Sequence, residues 1–209
     1  MESVFTSKIK YDYIWLISGQ DFPLKSSQEI INFLEKNKGK NFIEINKFER
    51  ENTIKKRYEL YFPNWMRSKN FFLRCLKMGY INIALHLGNL LDRKNTLNVD
   101  FYYGSQWWTL SYECAKEIYD ILLKGEYIDY YKGSLVPDES IFQTIYMNSR
   151  FKDKYDDKLT YVNWKGQINH PKTFTIEDCD ELEKVNYLMA RKFDEDFDDK
   201  IINKLYDEL

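Results

Sequence analysis

The stretch YDYIWLISGQDFPLKS, residues 11–26, decides the fold class of this chain. The run Tyr13–Ile17 is short, aromatic and β-branched, and it predicts a buried central strand of an α/β sheet. A polar turn follows at once, and Asp21 stands just beyond the carboxyl end of the strand, ahead of Pro23. Because open α/β sheets bind ligands at that edge, Asp21 is a candidate site residue. The alternative is an Asp that only shapes the turn before a proline.

A helix and a second strand follow the turn. Ser26 and Ser27 precede a segment whose apolar residues recur at helical spacing, and Gly39 marks its end. The sequence NFIEI, residues 41–45, then predicts a strand. The order strand, turn, helix, strand with short connections is typical of a parallel α/β sheet.

The rest of the chain continues the alternation of strands and helices. Residues 100–110 predict another short strand, and a helix begins at Ser111. A further helix is predicted from Pro137, because proline and acidic residues favour a helix N-terminus. Also predicted are a mostly helical segment at 71–91, a strand at 161–164, a helix capped by Thr175 and an amphipathic C-terminal tail. No linker or repeat divides the chain, so residues 1–209 are predicted to form one domain.

The composition excludes several classes of function. With 31 basic and 33 acidic residues the formal net charge is -2, so no basic field is available to bind nucleic acid. Two histidines exclude a multi-histidine metal centre, and three widely spaced cysteines argue against a zinc site or a disulfide framework. The sequence shows no signal peptide and no apolar run of about 18 residues. We therefore expect a cytoplasmic protein without a transmembrane segment.

Glu139 is the candidate catalytic carboxylate. It follows Pro137 and Asp138 at a predicted helix start, where the positive end of the helix dipole favours an ionised acid. A carboxylate fixed in that place can act as a general base toward a sugar hydroxyl. The alternative is that Asp138 or Glu139 only stabilises the helix N-terminus.

Two tryptophans and three cations are further candidates. Trp107 and Trp108 offer an aromatic face that fits the apolar C–H patch of a sugar ring. Neighbours in a strand face opposite sides, however, so one of the two is expected in the core. Lys172, Arg191 and Lys192 stand near predicted element ends and could neutralise a diphosphate leaving group. Each of the three is also explained as a solvated surface cation.

Several segments occur in the order in which one known family carries them. They are YDYIWLISGQDFPLKS, FIE with the later KKRYE, YYGSQWWTLSYECA, VPDESIFQTIYMNSRF and HPKTFTIEDCDELEKVNYLMARKFDED. With these segments the sequence resembles the core-2/I-branching β-1,6-N-acetylglucosaminyltransferase family, which includes the peptide O-xylosyltransferases, and in particular its bacterial members. The resemblance covers residues 11–198.

This resemblance implies a GT-A-like fold, which is a Rossmann-like mixed sheet flanked by helices. It implies an inverting glycosyltransferase that moves N-acetylglucosamine from its UDP donor to a hydroxyl of an acceptor glycan, such as a bacterial surface polysaccharide. Members of the family work without a divalent metal ion, without a cofactor and without a DxD motif. The sequence DED at residues 194–196 lies in the tail, beyond the phosphate-binding lysine, and does not correspond to that motif.

The resemblance also implies roles for single residues. The glutamate after P-D corresponds to Glu139, which would be the catalytic base. The lysine of KFD corresponds to Lys192, which would contact the donor diphosphate, with Lys172 and Arg191 as further cations there. The other matched positions would contact the acceptor or line the cleft: Asp21, Glu44, Arg50, Gln106 and Trp107.

The catalytic domain of the family begins with a further stretch that grips uridine and ribose. This chain corresponds to the part beyond that stretch, about the C-terminal two-thirds of such a domain. We therefore expect the chain alone to bind UDP weakly or not at all, with another polypeptide as one source of the missing half. Two other interpretations stay open: an inactive truncated module that binds glycans or acts as a scaffold, and an interaction domain whose aromatic surface binds protein.

Overall fold

The structure is a computed structural model that describes residues 1–48, 57–58, 60–63, 70, 76–77, 79–81, 83, 96–166 and 170–209. These residues form two compact units, each combining three stretches of the chain. The first unit comprises Met1–Ile9, Ile45–Gln106 and Glu113–Asp153, and the second comprises Lys10–Glu44, Trp107–Tyr112 and Lys154–Leu209. The assignment of one domain to the whole chain stays a prediction.

Short strands and helices alternate along the described residues. Their order is α1 (Glu2–Thr6), β1 (Tyr13–Trp15), β2 (Asp21–Pro23), α2 (Ser27–Lys36), β3 (Asn41–Ile43), β4 (Asn46–Lys47), β5 (Tyr102–Tyr103), β6 (Trp108–Ser111), α3 (Tyr112–Leu123), α4 (Glu126–Tyr131), α5 (Ile141–Met147), β7 (Tyr155–Asp156), β8 (Thr160–Val162), α6 (Cys179–Lys184), β9 (Met189–Arg191) and α7 (Asp199–Glu208). Two 3-10 turns, Pro137–Glu139 and Ile176–Asp178, precede α5 and α6. The predicted helical segment at 71–91 lies largely outside the described residues.

The larger sheet of the second unit has the strand order β1-β6-β3-β7. Strand β6 pairs antiparallel with both β1 and β3, whereas β3 and β7 are parallel. The predicted mixed α/β class is thus confirmed, but β1 and β3 are not direct neighbours as a simple parallel sheet requires. The reason is β6, whose residues Trp108–Leu110 are all buried and therefore favour the middle of the sheet.

Helix α2 packs against this sheet and confirms the predicted capped helix. The Ser26 hydroxyl accepts a hydrogen bond from the Glu29 amide, and the Glu29 carboxylate accepts one from the Ser26 amide at 2.9 Å. This reciprocal pair satisfies two amides that a helix start otherwise leaves without partners. The helix and the sheet share one apolar cluster: Phe42, Leu159 and Leu188, with Tyr13, Trp15, Ile30, Phe33 and Leu34 against them.

The smaller sheet of the second unit has the order β2-β9-β8. Strand β2 pairs antiparallel with β9, and the register places Asp21 opposite Arg191. The polar turn after β1 therefore carries the chain from one sheet to the other. Helices α6 and α7 supply most of the core beneath the smaller sheet, a cluster formed by Phe174, Cys179, Leu182, Ala190, Phe193, Ile201 and Leu205.

The first unit has an aromatic core. Strands β4 and β5 form a two-stranded ribbon, and β5 also contacts α5. Many of the aromatic side chains of the sequence lie together here, around Tyr58, Tyr130 and Tyr131, with Phe48, Phe101, Tyr103 and Tyr127 packed against them. Because buried tyrosine hydroxyls need hydrogen-bond partners, this core also fixes polar groups in defined places.

Candidate active site

Asp21 lies in a buried ion pair with Arg191. The guanidinium Nη1 donates to Asp21 Oδ1 at 2.9 Å, and the two side chains are only 1% (Asp21) and 16% (Arg191) exposed. The amide of Ser18 donates to Asp21 Oδ2 at 2.7 Å, and the Ser18 hydroxyl donates to Oδ1 at 3.1 Å. A carboxylate with three donors in a buried place is held firmly, so Asp21 ties the turn after β1 to the end of β9.

Trp107 completes this cluster. The guanidinium carbon of Arg191 lies 4.5 Å from the centre of the Trp107 ring, a cation–π arrangement. Trp107 is 9% exposed and Trp108 is 2% exposed, so both residues are buried. Strand β6 begins only at Trp108, so the alternation of faces within a strand does not apply to this pair. One of the two was expected in the core, and the structure buries both. A role for Trp107 as a stacking surface for a sugar stays a prediction.

Lys172 has a carboxylate partner. Its ammonium donates to Asp178 Oδ1, and the other carboxylate oxygen of Asp178 accepts from the Thr175 amide at 2.9 Å. Burial alone would raise the pKa of Asp178, but the Lys172 ammonium and the Thr175 amide and hydroxyl outweigh burial and hold this pKa below its usual range. The hydrogen bond to Asp178 in turn raises the pKa of Lys172.

The pKa shift of Asp178 makes a stability prediction with a definite sign. A carboxyl whose folded pKa lies below its unfolded value stabilises the fold above that unfolded value, and this contribution is lost as pH falls through the folded pKa. The ordinary value is 3.8. We expect Asp178→Asn to flatten the fall in unfolding free energy that urea titrations show between about pH 5 and pH 2.

A matched control is Asp120→Asn, which removes an acid from the exposed Lys116–Asp120 pair on α3. That variant should keep the wild-type slope, because exposed pairs contribute little. An Asp178→Asn slope equal to that of wild type would contradict the assignment of Asp178 as the stabilising acid.

Lys192 differs from the other candidate cations. Arg191 pairs with Asp21, and Lys172 pairs with Asp178. The acidic candidate Glu44 is also paired, with the ammonium of Lys158. Within the part of the chain that the structure describes, Lys192 makes no ion pair. Its backbone is nevertheless fixed, because the Lys192 carbonyl accepts from the Phe174 amide at 2.9 Å and the next residue donates its amide to the Gln20 carbonyl at 2.9 Å. The structure thus fixes the backbone at Lys192.

Glu139 ends the 3-10 turn Pro137–Glu139, in the first unit. The sequence predicts it in the first turn of an α-helix, but α5 begins only at Ile141, with Ser140 between them. The predicted α-helix start at Pro137 is therefore a 3-10 turn, and an effect of the helix dipole on Glu139 stays a prediction. The Glu139 carbonyl accepts a hydrogen bond from the Gly104 amide at 2.9 Å. Its side chain belongs to a half-buried residue, so part of it reaches the surface.

The predicted site residues fall into two groups. The structure brings Asp21, Arg191 and Trp107 together, with Ser18, in the second unit. Lys172, Lys192 and Glu44 also belong to the second unit, whereas Glu139 and the half-buried Gln106 belong to the first. Arg50 lies outside the described residues. Ser18 was not among the predicted residues; its signal is the S-x-x-D spacing, which lets a serine bond an aspartate three residues later.

The chain also matches a known protein family. The family described as Core-2/I-Branching enzyme matches residues 1–186. The chain belongs to this family. Xylosyltransferase oxt of Drosophila melanogaster is 26% identical over 217 residues, which is 93% of this chain and 23% of that protein. Xylosyltransferase 2 of Homo sapiens is 24% identical over 214 residues, again 93% of this chain and 23% of the relative.

As a Core-2/I-branching family member, the chain thus spans about a quarter of the length of the curated relatives it matches. The predicted GT-A-like arrangement of mixed sheets and flanking helices agrees with this membership. Among the described residues there is no cluster of three or more His, Cys, Asp or Glu side chains that could hold a metal ion. The same residues include no helix long and apolar enough to cross a membrane.

Proposed function

We propose that this Core-2/I-branching protein is an inverting glycosyltransferase that moves a sugar from a UDP donor to a hydroxyl of an acceptor glycan. In this proposal Glu139 takes the proton of the acceptor hydroxyl while its oxygen attacks the anomeric carbon. The bond from that carbon to the diphosphate oxygen breaks, and UDP leaves on the opposite face, which inverts the configuration. Lys192 neutralises the negative charge that develops on the diphosphate.

The observation that carries the proposal is the state of Lys192. A leaving diphosphate needs a positive charge that is held in place but not already neutralised. Lys172 and Arg191 each bind a carboxylate within the protein, whereas Lys192 has no ion pair among the described residues and lies on fixed backbone. Membership of a glycosyltransferase family supports the reaction class, and the half-buried position of Glu139 supports its access to an acceptor.

The donor sugar has two candidates. N-acetylglucosamine follows from the resemblance to the branching enzymes. Xylose follows from the names of the relatives, which are xylosyltransferases. The two differ by the acetamido and hydroxymethyl groups, so a donor pocket that fits one should discriminate against the other through groups left without partners.

The deciding experiment measures transfer by the complete enzyme that contains this chain, from UDP-N-acetylglucosamine and UDP-xylose to a panel of glycans, with UDP release and product mass as readouts. We expect one donor to be used, and EDTA to leave its rate unchanged. Lys192→Ala should lower kcat/KM for that donor by about 10- to 100-fold, the value of a charge-assisted hydrogen bond. Lys172→Ala is the matched control and should have a smaller effect, because its charge is already neutralised by Asp178.

Failure of the wild-type protein to use either donor, together with binding of a glycan, would favour the inactive glycan-binding module instead. Loss of transfer in EDTA that added metal restores would contradict metal independence alone. Equal losses in the two lysine variants would remove Lys192 from the diphosphate site.

A further inference from the structure

Ser140 is the N-cap residue directly before helix α5, yet its hydroxyl does not cap that helix. A serine in this position usually accepts a hydrogen bond from an amide of the first helical turn. Here the Ser140 hydroxyl donates instead to the Tyr102 carbonyl of β5 at 2.7 Å. The hydroxyl that would stabilise the helix is therefore used to attach the residue after Glu139 to β5.

Tyr131, at the end of α4, connects to the same attachment. Its hydroxyl lies 2.8 Å from Ser140 Oγ and 3.0 Å from Thr144 Oγ1. Thr144 Oγ1 also accepts from the Tyr102 amide at 3.1 Å. The side chains of Tyr131, Ser140 and Thr144 are all buried, so water does not compete for these bonds.

The protons of this network can be assigned without conflict. Ser140 and Thr144 each donate to the Tyr102 carbonyl, and the Tyr102 amide donates to Thr144. The single proton of the Tyr131 hydroxyl then goes to Ser140 or to Thr144. Every hydroxyl therefore has a donor or acceptor role, and a satisfied buried network of this kind specifies one arrangement of the chain.

The backbone of Glu139 is held by the same strand and the loop after it. The Glu139 carbonyl accepts from the Gly104 amide, two residues after Tyr102. Gln143, on the first turn of α5, donates to the Ser105 carbonyl at 2.7 Å. The contacts of Glu139 and of the residues that follow it thus end in residues 102–105.

Two tyrosines near this turn, Tyr131 and Tyr58, keep a fixed protonation state. Burial raises the pKa of Tyr131 to about 12, although its bonds to Ser140 and Thr144 act in the opposite direction. Burial raises the pKa of Tyr58 as well, and the charge of Glu139 raises it further. Both phenols therefore stay protonated over the pH range in which the protein would work, and the hydroxyl network does not titrate with the carboxylate.

We propose that Tyr131, acting through Ser140 and Thr144, is a positioning residue that fixes the turn carrying Glu139 for proton abstraction. The inference rests on the proposed role of Glu139 as the base. Catalysis by a general base requires its oxygen within hydrogen-bond reach of the proton it removes, so the turn must hold the carboxylate to a fraction of an ångström.

The matched comparison is Tyr131→Phe against Tyr146→Phe. Tyr146 lies on α5, is fully buried and donates its hydroxyl to the Phe151 carbonyl at 2.7 Å. Both variants delete one buried tyrosine hydroxyl, so both should lower the melting temperature by similar amounts. Only Tyr131→Phe removes a hydroxyl from the network around Ser140.

Well below both melting temperatures, Tyr131→Phe should lower kcat by about 10- to 100-fold with the donor KM unchanged. Tyr146→Phe should keep the wild-type kcat. Thr144→Val should act like Tyr131→Phe, whereas Thr144→Ser, which keeps the hydroxyl, should remain close to wild type. A kcat of Tyr131→Phe equal to that of Tyr146→Phe would overturn the positioning role.

A second measurement does not depend on activity. The Gly104 amide reports on the turn because it donates to Glu139, so its hydrogen exchange, followed by NMR, should accelerate in Tyr131→Phe and not in Tyr146→Phe. Equal exchange in the two variants would overturn the inference. A wild-type protein that transfers no sugar would instead refute the proposed function, and the exchange data would still decide whether Tyr131 holds the turn.

Discussion

Replacing Glu139 by Gln is expected to lower the kcat of sugar transfer by about 10² to 10⁴, the usual contribution of a positioned general base. The amide has the shape of the carboxylate but cannot accept a proton. The backbone carbonyl that bonds Gly104 is unchanged, so the turn should persist. Because Glu139 does not contact the diphosphate in the proposed mechanism, the KM for the donor should stay near its wild-type value. Initial rates over donor and acceptor concentrations provide the measurement.

Asp138→Asn is the control for this variant. Asp138 is exposed, belongs to the same 3-10 turn and carries the same charge one residue earlier. A general electrostatic effect of the turn would lower the rate in both variants, whereas a base at Glu139 predicts loss only in Glu139→Gln. If turnover of Glu139→Gln stays near that of wild type, a different group removes the proton.

The features that sequence predicted well are those encoded by neighbouring residues. Helix α2 is an example, because the serine cap, the acid three residues later and the apolar spacing all lie within one short segment. The 3-10 turn at Glu139 has the sequence of a helix start, since proline and acids favour both. Which of the two forms depends on Ser140. Its hydroxyl donates to the Tyr102 carbonyl, 38 residues away, and does not cap its own helix.

The features that sequence could not predict depend on partners far along the chain. Strand β6 lies between β1 and β3, although the sequence of β6 alone does not show which strands it pairs with. Asp21 and Arg191 stand 170 residues apart in the sequence, so the residues around Asp21 could not show that Arg191 binds its carboxylate. Strand order and ion-pair choice follow from which apolar faces are buried together, and that is decided by the whole fold.

A second large effect, on stability, is expected when the Asp21–Arg191 ion pair is broken. Asp21→Ala should lower the free energy of unfolding by about 3–5 kcal/mol, because it leaves the largely buried guanidinium of Arg191 without its carboxylate. It also removes the acceptor of the Ser18 amide, which holds the turn between the two sheets of the second unit. Urea unfolding followed by tryptophan fluorescence and by circular dichroism provides the measurement.

Asp156→Ala provides the control, since the Lys40–Asp156 pair of the same unit has both side chains 53% exposed. Its loss should be at most about 1 kcal/mol, the ordinary value of a surface pair.

A double-mutant cycle tests whether Asp21 only shapes the turn, which is one interpretation of the sequence, or anchors Arg191 as the structure indicates. If Asp21 only shapes a turn, the losses caused by Asp21→Asn and Arg191→Met should add. If Asp21 anchors Arg191, each single variant leaves a buried charge without its partner, and the double variant removes both charges together. The double variant should then lose clearly less than both single losses combined, with a coupling of about 0.5–3 kcal/mol. Strict additivity would return Asp21 to the role of a turn residue and would leave the position of Arg191 against Trp107 to be explained by packing alone.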